Sequence, residues 1–300
     1  MPRPPSLPAL VASLALSLVV ALPAAAQDAT PAPAAFAEEL GLPELRVTVT
    51  DEAFEGLPAE VPAGRYLLSV EARATEGGAV DFLRLPDGMD LTGFEAVLAE
   101  GSAAEGPPEW YYQTAMTGGI GGSGEAVIDL TPGEWIAWAD DPEAAQPPVA
   151  MTVTGDGGAT PTAGETEPAA DATVTMYEYD FTVEGELQPG PQVIAVANVG
   201  AQPHHMIVLR SPEAVTEEQV ARFLELDMTG ATPSPEEELP DPDALVPVVY
   251  VSTMSSGARA WVAANLEPGY YVLICFVPDL ASGMPHAFEG MYQAFEVAGA

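Results

Sequence analysis

The chain contains no lysine. Its eight basic residues are all arginine, set against 45 aspartates and glutamates, for a formal net charge of −37 over 300 residues. Such a surface repels phosphate backbones, which argues against nucleic-acid binding and against docking on anionic membranes. It suits a basic partner, a saline habitat, or both. One cysteine cannot form an internal disulfide, and three histidines cannot build several metal centres. No CxxC, HxxxH or Gly-x-Ser-x-Gly occurs, so the usual signatures of structural zinc and of a hydrolase nucleophile elbow are missing. What the chain does have is 48% hydrophobic residues, enough for a substantial core.

The N-terminus reads as an export signal. Arg3 is the lone charge, Ala9 to Leu22 is an apolar run too short to span a bilayer comfortably, and Ala24-Ala25-Ala26 supplies a small-residue cleavage site. Residues 1–26 are therefore expected to be removed, leaving a secreted or periplasmic protein with no transmembrane anchor. Residues 27–44, rich in Ala and Pro, are expected to form a flexible tail. Residues 156–172 read as a Gly/Pro/Thr/acid linker between two segments, 45–155 and 173–300.

The two segments resemble each other. Leu83-Arg84-x-Pro86 falls on Leu209-Arg210-x-Pro212, and Leu130-x-Pro132-Gly133-x-Trp135 on Leu266-x-Pro268-Gly269-x-Tyr271. Short β-type runs separated by Pro/Gly turns predict an all-β chain of two tandem Greek-key β-sandwiches. One short helix is expected in each, the second opened by a Thr216-x-x-Gln219 capping box. The four tryptophans are expected in cores and edges, and Glu236 to Asp243 in a solvated loop.

All three histidines and the cysteine lie in the second segment, as Pro203-His204-His205-Met206 and Cys275-x10-His286-x4-Met291. Thiolate, imidazole and thioether form a soft set, and two His, one Cys and a weak axial Met suit a blue-copper centre. Strand alternation selects between the paired histidines. Polar Asp81 should face out, so Val80 and Phe82 face in. Carried across the repeat, Met206, Val208 and His204 face in, while His205 faces out or onto the rim. His204 is the favoured ligand and His205 the alternative. Met284 competes with Met291 but precedes His286. Taken singly, Cys275 could be a buried structural thiol and Met291 a packing residue.

On these residues the second segment resembles the cupredoxins, closest in local pattern to plastocyanin. Pro203-His204 matches the dipeptide that supplies the first ligand, and Gly269-x-Tyr271-x-x-x-Cys275 the strand that delivers the thiolate. His286 and Met291, followed by Phe295 and Val297, match the last two ligands and the final strand. The resemblance implies one type 1 copper held by His204, Cys275, His286 and Met291, and a one-electron carrier rather than a catalyst. The spacer from Cys275 to His286 is longer than the plastocyanin spacer. The first segment carries Gly78 and Ala139 where the second has His204 and Cys275, and is expected to lack metal. Two other classes remain open: copper handling without electron transfer, and a metal-free scaffold or adhesion module. An enzyme is disfavoured, because a catalytic copper cluster would need further histidines.

Overall fold

The structure is a computed structural model and describes residues 40–74, 78–101, 114–139, 146–155, 167–234, 237, 239–241 and 244–299. The expected export segment, most of the expected tail, Trp110, residues 156–166 of the expected linker and part of the acidic run 236–243 lie outside the described residues. None of the described helices is long and apolar enough to cross a membrane.

The first half runs β1 (Glu44–Val49), β2 (Phe54–Glu55), β3 (Glu60–Pro62), β4 (Gly64–Ala72), β5 (Ala79–Arg84), α1 (Leu91–Gly101), β6 (Ala115–Gly121), β7 (Gly124–Leu130), β8 (Gly133–Trp138) and β9 (Val149–Thr154). The second runs β10 (Ala172–Tyr177), β11 (Asp180–Gly185), β12 (Gly190–Asn198), β13 (His204–Ser211), α2 (Glu217–Thr229), β14 (Val246–Met254), β15 (Arg259–Leu266), β16 (Gly269–Ile274) and β17 (Tyr292–Val297). Among the described residues the chain is thus all-β with one α-helix in each half, as the turn spacing predicts.

The repeat reappears as register. β1 pairs parallel with β4 and β10 parallel with β12, and both pairings continue antiparallel into β7 and β15 respectively. Arg84 lies opposite Trp135 across β5–β8, and Arg210 opposite Tyr271 across β13–β16. The Trp135 indole donates to the Thr131 carbonyl at 2.7 Å, and the Tyr271 hydroxyl to the Glu267 carbonyl at 2.6 Å, the same four-residue reach back into the turn. Gly133 closes that turn and opens β8 at φ 144°, a conformation strained for other residues, and a Cβ there would stand 2.3 Å from the Arg84 Nε and displace that side chain.

The halves are not separate bodies on a string. β6 pairs with β14 and β7 with β15, so each sheet runs continuously through both halves. The orders are β11-β10-β12-β15-β7-β4-β1-β2 and β17-β16-β13-β14-β6-β5-β8-β9-β3. Joining edges this way removes four exposed strand edges that would otherwise invite aggregation. Arg65, 6% exposed, reinforces the seam. It forms a paired contact with Asp129 at 2.7 and 2.8 Å, and its guanidinium lies 4.6 Å from the ring centre of Trp261 in the other half.

Two expectations are corrected. The tail does not extend to residue 44: Glu44 opens β1, and Leu40 and Leu42 pack on the cluster of Leu67, Val127, Val193 and Trp261. Their apolar side chains cover a sheet face that water would otherwise wet. Likewise Asp81 does lie on the face opposite Val80 and Phe82, yet it is only 5% exposed. That face is not solvent. Leu83, Leu85, Met116 and Ile136 lie on it beneath Phe94 of α1, and Ile207, Leu209, Val272 and Ile274 beneath Val220 and Leu224 of α2. The nine-stranded sheet is therefore covered on both sides, which explains the apolar Leu83 at an outward position. α2 begins with the expected capping box, the Thr216 side chain accepting from the Gln219 amide and the Gln219 side chain from the Thr216 amide.

Candidate metal centre

β13 and β16 are hydrogen-bonded neighbours, and their adjacent ends bring His204 and Cys275 together. Beyond β16 the chain leaves the sheet, folds back through a bridge between Pro278 and Pro285, and enters a short 3-10 turn at His286–Glu289. The His286 amide donates to the Val277 carbonyl at 2.9 Å and the Cys275 amide to the Met291 carbonyl at 3.2 Å. Backbone bonds thus hold His286 and Met291 beside the thiol despite the long spacer.

One donor atom from each of His204, Cys275 and His286 lies within 4.8 Å of the others. The Cys275 Sγ is 3.9 Å from His204 Nδ1 and 3.6 Å from His286 Nδ1, and the two imidazole centres are 4.6 Å apart. All three side chains are 0% exposed, as is Met291, which packs in the same apolar cluster as Cys275. Among the described residues no other group of this kind occurs, and none lies in the first half.

His205 is placed elsewhere. It lies on the outer face of β13, where its ring meets Tyr250 and Phe276 edge-on. Its Nε2 accepts from the Phe276 amide at 2.7 Å, and its own amide donates to Cys275 Sγ at 3.5 Å. This bond occupies Nε2 and lets His205 brace the irregular segment that follows the thiol. The sequence signal for this role is only its parity, opposite to His204.

The protonation states suit metal uptake. Burial, seconded by the neighbouring His286, lowers His204 to about 4, with the Glu178 carboxylate opposing weakly. Burial also lowers His286, against the pull of Asp279, Glu178 and Glu289. Both imidazoles are therefore neutral near pH 7 and carry a free lone pair. Burial pushes the Cys275 thiol up to about 12, slightly offset by the amides of His205 and Val277. The metal-free pocket holds a neutral thiol, and a bound cation must displace its proton.

The surrounding shell is polar and ordered. Burial alone would raise Asp279, but hydrogen bonds from Gln202, Tyr179 and Ser282 hold its carboxyl far below the usual range. Glu178, also raised by burial, is lowered on balance by the amides of Ala201 and Gln202. Gly200 sits between the Glu178 carboxylate and the His204 ring, where a Cβ would come within 2.7 Å of Glu178 Oε1 and 2.8 Å of His204 Nε2.

The residues fit a copper ion. A buried thiol and two neutral imidazoles converge, and both imidazole Nε2 atoms are buried without a partner. One thiolate with two imidazoles is a soft N/S set, which a hard cation would not select.

No protein-family model matches the chain, and no curated protein matches it. Among solved structures, a reduced auracyanin from Roseiflexus castenholzii is similar at 19% identity, covering 42% of this chain and 95% of its own, with a TM-score of 0.28. Auracyanin A, a blue copper protein from Chloroflexus aurantiacus, is 20% identical over 42% of this chain and 98% of its own, with a TM-score of 0.24. A copper nitrite reductase from Nitrosomonas europaea covers 85% of this chain and 94% of its own at 11% identity, with a TM-score of 0.23. The sandwich topology and the His-Cys-His cluster fit a cupredoxin with a type 1 copper site, and the donor set supports copper as the cofactor.

Proposed function

We propose that the chain is an exported one-electron carrier with a single type 1 copper. His204, Cys275 and His286 would hold the ion, with Met291 as a weak axial ligand. The observation that carries this reading is the convergence of one thiol and two imidazole Nδ1 atoms in a fully buried pocket. When bound, copper supplies a one-electron couple. The protein supplies a pocket whose ligands come from two bonded strands and a hydrogen-bonded turn, so little need move when the charge changes.

Carrier is favoured over catalyst by burial. A catalytic metal keeps a position open to substrate or water. Here the four candidate ligands are each 0% exposed, and the third histidine of the chain is held by the Phe276 amide. An electron needs no open position. The net charge of −37 would steer a basic redox partner, with association slowing as salt rises. Export rests on the charge, apolar run and small-residue site of residues 1–26.

The test is addition of Cu(II) to the purified chain. An intense visible thiolate-to-copper band with narrow EPR hyperfine splitting is expected. Cys275→Ser should abolish the band, and His204→Ala should bleach it. Reversible voltammetry is expected of a carrier, whereas poor voltammetry with ready release of Cu(I) to a chelator would mark copper handling instead. A chain that retains no stoichiometric copper would refute the proposal.

A further inference from the structure

The segment between Cys275 and His286 is built as a lid with a fixed clasp. Asp279, 4% exposed, is its hub. One carboxylate oxygen accepts from the Tyr179 hydroxyl and from Gln202 Nε2, both at 2.7 Å. The other accepts from the amides of Ala281 at 2.9 Å and Ser282 at 2.6 Å. The Leu280 amide adds a bond to Gln202 Oε1 at 2.8 Å. The lid is thereby tied to two other segments, the β10–β11 turn through Tyr179 and the stretch before β13 through Gln202.

Tyr179 is the unusual member. Its backbone has φ 61°, and it is the one non-glycine residue with positive φ among the described residues. Aromatic side chains rarely adopt that left-handed conformation, and such outliers gather at functional sites. The turn gains two things from it. The hydroxyl reaches Asp279, and the half-buried ring lies edge-on to His286 with centres 5.5 Å apart. Because His286 is 0% exposed, no partner can touch it directly. Among the described residues the rings against His286 are those of His204 and Tyr179, and His204 is itself fully buried.

We propose that the Tyr179 ring is the contact through which an electron passes between a partner and His286, and that Asp279 is the positioning residue that clasps it there. The step moves one electron only: the partner is oxidised as the site is reduced, or the reverse, with no bond made and no proton transferred. The proposal rests on the carrier reading above.

The experiment uses the full chain in two states. In the copper-loaded state, oxidation of the reduced protein by the tris(phenanthroline) complex of cobalt(III) is followed by stopped flow; one electron leaves the protein and reduces cobalt(III) to cobalt(II). Tyr179→Leu should slow this several-fold while keeping the visible band, and Tyr179→Phe, which keeps the ring but loses the bond to Asp279, should fall between Tyr179→Leu and the native rate. In the copper-free state, the reaction of Cys275 with a nitrobenzoate disulfide reagent reports lid opening. Asp279→Asn should speed it by about tenfold, the weight of one hydrogen bond to a charged group. Native rates for Tyr179→Leu overturn the proposal, as does loss of its visible band, which would make Tyr179 a structural residue alone. Unchanged thiol access in Asp279→Asn overturns the clasp. A native chain with no visible band refutes the carrier reading instead, and the thiol measurement then still judges the clasp.

Discussion

Substituting His205 separates its bracing role from that of a ligand. In His205→Ala the Phe276 amide loses the acceptor now 2.7 Å away, and the edge contacts with Tyr250 and Phe276 disappear. An orphaned buried amide costs about 1–3 kcal/mol, and the partial exposure of His205 lets water recover some of that, so about 2 kcal/mol is expected at pH 7. The cost should depend on pH. Burial, and then the neighbouring His286 and His204, lower His205 from 6.5 to about 3. Below pH 6.5 the unfolded chain therefore binds a proton that the folded chain refuses. The stability from neutral His205 is full above 6.5 and is lost as pH falls toward 3, at up to about 1.4 kcal/mol per pH unit. By pH 5 the native protein should have given up about 2 kcal/mol of it, an upper limit given the partial exposure. The alanine variant has no such group, so the two proteins should converge. Urea unfolding of the copper-free proteins at pH 7 and pH 5, at matched ionic strength, measures this directly. A stability gap that stays constant with pH would refute a buried neutral brace. Loss of the visible band in copper-loaded His205→Ala, with the band kept in His204→Ala, would refute the choice between the two histidines.

Three further substitutions probe other parts of the structure. Gly200→Ala would force a methyl to within 2.8 Å of His204 Nε2, so the visible band should shift and copper should bind more weakly, with far-UV circular dichroism unchanged; an identical spectrum would contradict the tight fit. Thr216→Ala removes the capping box of α2 and should lower stability by about 1 kcal/mol in urea unfolding, with no effect on the visible band. Arg65→Ala leaves Asp129 without its partner and uncovers Trp261, so stability should fall by about 3 kcal/mol; a change within experimental error would show that the β7–β15 pairing alone holds the seam.

The sequence made some of this site legible because its chemistry is scarce. With one thiol and three imidazoles in 300 residues, few arrangements of a soft centre exist, and strand alternation sufficed to put His204 and His205 on opposite faces. The same alternation misjudged Asp81. It assigns a residue to a face but does not say whether water lies there, and that depends on α1 and α2 returning over the sheet. The fused seam was hidden for a related reason. β6, β7, β14 and β15 read as ordinary strands, and nothing local distinguishes a free edge from one that meets the other half.

The clasp lay furthest from view, since Tyr179, Gln202 and Asp279 are remote in sequence and belong to no motif. Yet it resolves the most conspicuous departure from the plastocyanin pattern. A short spacer would take the chain straight from thiol to imidazole. The ten residues between Cys275 and His286 instead leave room for Asp279 to gather four hydrogen-bond donors. With His286 fully buried, the carrier proposed above needs a contact at the surface instead. The half-buried Tyr179 ring, held at positive φ and edge-on to His286, is the contact we propose for it.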